Sequence, residues 1–146
     1  KMTYKNFYSI LDKIAVFLHA YLNLPIKVYQ VDYATIWTDK KGSIRQEFLS
    51  HPQNLSLLAL YNIKLDVYGA KSFDYVIDEQ TKDLQKIRNF IEHKMVVVRD
   101  GEMECNDYQL KISKSELAIN TIRLAQLIRC SIIYLCNFVM HAEYDK

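Results

Sequence analysis

Glu92, His93 and Lys94 stand directly ahead of the apolar run Met95–Val98, and their Glu-x-Lys spacing is the clearest hint of hydrolytic chemistry in the chain. With a carboxylate upstream (Asp74, Asp78 or Asp83), such a set can hold a divalent metal while the lysine orients or activates the attacking water. That chemistry wants Glu and Lys on a strand, where side chains two apart share a face. The periodicity around them predicts the last turn of a helix instead, so a metal-dependent nuclease ranks third among the functions the sequence suggests. The same placement puts His93 at a helix C-terminus, where partial positive charge is favoured.

No other metal or nucleophile constellation is present in the sequence. His19, His51, His93 and His141 are isolated, and Cys105, Cys130 and Cys136 form no CxxC pair. Cys105 lies in the acidic stretch GEMECND, which raises a thiol pKa and disfavours the thiolate. The three glycines, Gly42, Gly69 and Gly101, all read as turns, so phosphate-cradling loops and dinucleotide fingerprints are missing. No cofactor is expected, and a non-enzyme is favoured over an enzyme.

A second chemistry is nucleic-acid binding. Lys40, Lys41 and Arg45 cluster beside Trp37 and Tyr33, which would give a basic ribbon with a stacking aromatic. Asp39 and Glu47 dilute that cluster, and solvated lysines guarding an edge strand are the plainer explanation. The net charge is only +2. Residues 1–70 carry +3 (8 basic, 5 acidic), 71–112 carry −2 (7 and 9), and 113–146 carry +1 (4 and 3), so no segment has a strong basic excess. Tyrosine is abundant, 11 in 146 residues, which suits recognition surfaces. Fifteen Ile and 14 Lys against five Arg point to AT-rich coding, as in a low-GC bacterium or its phage, and that bias alone could supply the tyrosines.

The elements that would position these groups follow from periodicity. Residues 3–23 read as a helix with Phe7, Leu11, Ile14, Leu18 and Tyr21 along one stripe, ended by Pro25. Residues 26–49 read as a hairpin turning at Gly42, and the alternation of Ile63, Leu65 and Val67 as a half-buried strand. Residues 78–94 return to helical spacing. Met95–Val98 and residues 108–113 then form a second hairpin across Asp100 and Gly101. Residues 50–53 (SHPQ) and 113–116 (SKSE) have capping-box form, each opening a helix.

The expected fold is therefore α+β in one domain, residues 1–146. A small, mostly antiparallel sheet of two hairpins plus a strand packs with an N-terminal, a middle and a long apolar C-terminal helix. A weak helix–hairpin–helix duplication, 3–61 and 78–141, fits the same order.

The C-terminal helix poses the sharpest question. Asn120, Arg123, Gln126 and Arg129 recur every three residues, then residues 130–140 are almost wholly apolar. Eleven such residues fall short of the roughly 20 a membrane span needs, so no membrane is expected, and nothing at the N-terminus resembles a signal peptide. The distal half is either the domain core or a two-fold interface formed by Ile132, Ile133, Leu135, Cys136, Phe138, Val139 and Met140. An odd number of unpaired thiols fits a reducing cytosol. The leading expectation is a cytoplasmic, non-catalytic regulatory or interaction protein. It would be homodimeric, an accessory or mobile-element (phage-like) protein that binds a host protein. A nucleic-acid-binding regulator using the hairpin at 40–45 comes second.

Overall fold

The computed structural model describes residues 2–51, 53–69, 79–93, 95–101 and 108–144. Its elements are α1 (Met2–Tyr21), a 3-10 turn (Val28–Gln30), α2 (Gln46–Leu49), α3 (Leu55–Tyr68) and α4 (Glu79–His93). They are followed by β1 (Met95–Val98), β2 (Gln109–Ile112) and α5 (Lys114–Tyr144). The protein is a helical domain, and β1 and β2 form a two-stranded parallel ladder, Met95 opposite Gln109 through Val98 opposite Ile112.

This overturns the expected antiparallel sheet of two hairpins plus a strand. In the first supposed hairpin, Asp32 accepts from the Thr35 amide and hydroxyl, starting a helical turn that buries Tyr33, Ile36 and Trp37 together. What survives is a single antiparallel bridge, Thr38 to Ile44, over a turn in which the Asp39 carboxylate accepts from Lys41 and Ser43 amides. The supposed strand at 63–67 is the second half of α3. Its buried residues Leu57, Leu60, Ile63 and Val67 follow helical spacing, and the alternation arises because α3 is apolar on almost every side.

Asp100 closes no hairpin. It accepts from the Lys114 amide and pairs with its ammonium at 3.8 Å, tying the exit of β1 to the exit of β2, as parallel strands require. The acidic residues Glu102, Glu104 and Asp107 and the thiol of Cys105 lie outside the described residues.

The stop of α1 and the Ser113 cap match expectation, whereas the α1 stripe is shifted and the SHPQ box is not a cap. α1 ends as Asn23 takes a left-handed φ of 51° and the Leu24 amide reaches back to the His19 carbonyl, before Pro25. Its buried stripe is Tyr4, Tyr8, Leu11, Ala15 and Leu18, with Ile14 beside it. Phe17 is turned outward. Ser113 caps α5 through the Glu116 amide at 3.0 Å. The SHPQ box does not open a helix. Ser50 follows α2, and the cap of α3 is Asn54, whose side chain accepts from the Leu57 amide at 3.1 Å. The Asn54 amide group also donates to the Phe138 carbonyl at 3.4 Å, fastening α3 to α5.

α5 packs along α3 and α1, burying Leu124, Ile128, Ser131, Phe138 and Ala142. By length and composition it is apolar enough to cross a membrane, yet one full face is committed to this core. The distal half is not apolar core throughout. Phe138 is fully buried and Leu135 and Val139 are half-buried against the core, whereas Ile132, Ile133, Cys136 and Met140 are exposed.

Candidate active site

α4 is built on Leu84, Ile87 and Ile91, all buried. Arg88 sits inside that apolar stripe, a turn after Leu84 and beside Ile87. A guanidinium carried on the packed face of a helix must find its partners indoors. Here it finds aromatic rings: its central carbon lies 4.3 Å from the centroid of Tyr68, at the end of α3, and 5.4 Å from that of Tyr8 on α1. A cation over a ring face is attracted by the ring's quadrupole, more strongly where water is excluded.

The rings form a continuous set. Tyr4 and Tyr8 are 5.5 Å apart, Tyr8 meets Tyr68 edge-on at 6.0 Å, and Tyr68 meets Tyr33 at 6.2 Å. The Tyr4 hydroxyl donates to the Leu84 carbonyl, and that of Tyr33 to the Leu60 carbonyl at 2.8 Å. Burial pushes the Tyr4 hydroxyl up to about 12, and burial likewise holds Tyr8 and Tyr33 far above the ordinary tyrosine value. All three therefore stay neutral at any physiological pH. Among the described residues the Tyr8 hydroxyl has no hydrogen-bond partner.

Arg88 faces a cleft of about 230 Å³ between α1 and α4, lined by Tyr4, Lys5, Tyr8, Ser9, Asp12 and Ile91. Lys5 is exposed, and Asp12 accepts from the Tyr33 amide at 3.1 Å. An anion entering the cleft would meet the Arg88 guanidinium, with the Lys5 ammonium and the Asp12 carboxylate on the same wall. That arrangement suits a phosphate. His93 closes the same helix five residues after Arg88, about 7.5 Å further along its axis at the helical rise.

The residues expected from the sequence fare differently. Glu92 lies on α4, not on a strand, so the two-residue spacing to Lys94 does not share a strand face. The side chains of Glu92, His93 and Lys94, and residues Asp74 and Asp78, lie outside the described ones. Among the described residues no group of three or more His, Cys, Asp or Glu gathers as a metal site. Trp37 is 1% exposed, its indole N–H donating to the Tyr33 carbonyl at 2.9 Å, so it has no open face for a base. Arg45 turns its Nε to the Ile36 carbonyl, while Lys40 and Lys41 are solvated on the turn.

The cleft residues Arg88, Tyr8 and Lys5 are not singled out by the sequence, nor is the contact of Tyr68 with Arg88. One signal was available: an arginine at an apolar-stripe position, in a chain that otherwise meets its need for positive charge mainly with lysine.

These features define a small helical domain with an arginine held on aromatic rings at the mouth of an interhelical cleft. A family model described as LA2681-like HEPN matches residues 1–143, and the chain belongs to that family. No curated protein and no solved structure matches it.

Proposed function

We propose that this protein is a nuclease-like regulatory domain that cleaves RNA at the Arg88 cleft, with Arg88 binding the scissile phosphate and His93 moving the proton. The observation that carries this is the guanidinium held over the Tyr68 ring at the cleft, on the same helix as His93. Membership of the HEPN family is compatible with such a role, as it is with a non-catalytic regulatory one.

An arginine and a histidine suit RNA in particular, because RNA carries its own nucleophile. The imidazole takes the 2′-hydroxyl proton, the 2′-oxygen attacks phosphorus, and the bond to the 5′-oxygen breaks. The leaving oxygen is protonated by the imidazolium or by water, giving a 2′,3′-cyclic phosphate and a 5′-hydroxyl. The guanidinium stabilises the extra negative charge on the phosphorane.

The test is cleavage of a labelled single-stranded oligoribonucleotide by the wild type, Arg88→Ala and His93→Ala, with the all-deoxy strand as the uncleavable control. Each variant should lose about 10²- to 10³-fold in kcat while staying folded, the size of loss seen when one transition-state donor is removed. Full activity in both variants would sink the reading.

A second reading concerns assembly. The outward face of α5 carries Ile122, Ile132, Ile133, Cys136 and Met140 exposed along one helix. Apolar side chains in a row favour a partner, and a second copy presenting the same face is the simplest one. The domain then acts as a homodimer, with Phe138 serving the monomer core and its exposed neighbours the interface. Alone, this face would equally serve a non-catalytic regulator that binds a host protein. A cytoplasmic, mobile-element setting belongs to the same proposal and rests on the AT-rich composition and unpaired thiols.

A further inference from the structure

Arginine reaches its charge through a long flexible stem, and a mobile guanidinium would have to be ordered each time a phosphate arrived. We infer that Tyr68 is a positioning residue for Arg88: its ring fixes the guanidinium plane at the cleft before substrate binds. The inference rests on the cleft being a phosphate site, as proposed above.

Two observations carry it. The first is the closeness of the stack, 4.3 Å to Tyr68 against 5.4 Å to Tyr8. A ring face attracts the cation without consuming a donor.

The second is the way Tyr68 is itself placed. Gly69 follows it at φ +78°, where a Cβ would be strained and would lie 3.1 Å from the Gln85 Oε1. The Gln85 amide donates to the Asp66 carbonyl at 3.1 Å. The last turn of α3 is thus latched to α4 three residues ahead of Arg88. Tyr8 and Tyr33 flank the Tyr68 ring at 6.0 and 6.2 Å.

Tyr68→Leu and Tyr68→Phe separate positioning from simple packing. With the oligoribonucleotide above, Tyr68→Leu should lower kcat about tenfold, the size expected for a partly desolvated cation–π contact. Binding of the all-deoxy strand should change less than twofold, because the guanidinium is misplaced but not lost. Tyr68→Phe, which keeps the ring, should hold kcat within twofold of wild type. Thermal unfolding followed through the single tryptophan, Trp37, reports folding of each variant, and Tyr68→Met fills the space if the leucine variant does not fold.

A folded Tyr68→Leu with wild-type kcat, beside an inactive Arg88→Ala, would overturn the positioning role and leave the cleft reading intact. Equal losses in Tyr68→Phe and Tyr68→Leu would also overturn it, since the hydroxyl and not the ring face would then matter. An Arg88→Ala variant that cleaves normally would remove the cleft reading, and this inference with it.

Discussion

The cleft side of the bundle and the outer face of α5 depart from ordinary packing in opposite senses. At the cleft, charge and hydroxyls are drawn inward: Arg88 lies among Tyr8 and Tyr68, and the buried hydroxyls of Tyr4 and Tyr33 are paid out to main-chain carbonyls. On α5, apolar atoms are left outward, with Ile122 59% and Met140 68% exposed. Exposed apolar residues one at a time are normal, and so are polar groups at a surface. A polar group indoors or an apolar row outdoors is what carries information. The first costs stability unless its partners are in place, so it is built rigidly. The second costs solubility unless something covers it.

The largest expected effect tests the rigidity of the cleft side. Tyr4, Tyr8 and Tyr33 all have raised folded values, so the unfolded chain ionises first, near pH 10. Their contribution is complete below pH 10 and declines as pH rises, because the unfolded state then binds fewer protons. Each tyrosine should remove about 1.4 kcal/mol per pH unit, or roughly 4 for three, with Tyr4 levelling off near its folded value of about 12. Urea unfolding at pH 8 to 11 measures the slope. Tyr8→Phe should reduce it by about a third, and an unchanged slope would mean that Tyr8 is not sealed from solvent.

The next effect sets the two behaviours two residues apart on one helix. Phe138 is fully buried, meeting Tyr21 edge-on at 5.6 Å and the His51 ring at 5.7 Å. Phe138→Ala should cost about 3–5 kcal/mol. Met140→Ala, on the outward face, should stay within about 0.5 kcal/mol for the isolated subunit. Denaturant midpoints at low protein concentration check both. A similar cost at the two positions would show that the outward face is already covered within one chain.

How much of this was legible depended on whether the signal was local. The bounds of α1, α4 and α5 came close because their apolar stripes are interrupted by charge at a clear period, and the Ser113 cap is written in four adjacent residues. α3 was misread because it is apolar on nearly every side, which removes the period that distinguishes helix from strand. The direction of β1 against β2 was illegible for another reason. Asp100 and Gly101 form a turn signal, but the Asp100 carboxylate is spent on Lys114, a contact that only the tertiary structure creates. The cleft is the hardest case. Tyr4, Tyr8, Tyr68 and Arg88 come from three helices, and nothing in their spacing announces that they meet. The Glu92 spacing forms a motif in the sequence and Arg88, four residues earlier, does not, because its only mark is a charge at an apolar-stripe position.

The smallest expected effect on the fold is the most informative about the outer face. Ile133 is 45% exposed and opposes the buried side of α5, so Ile133→Asp places its carboxylate in water when the chain is alone. The subunit should keep its helical circular dichroism and lose no more than about 0.5 kcal/mol. In a two-fold dimer the same change places two carboxylates near each other inside an apolar seam, since each copy contributes the identical patch. Light scattering should therefore report twice the 17.2 kDa chain mass for wild type and the single mass for the variant. Loss of fold in the variant would move Ile133 to the core side of the comparison. A wild type that is monomeric at tens of micromolar would leave this face for a different protein, and the cleft would then have to work within one chain.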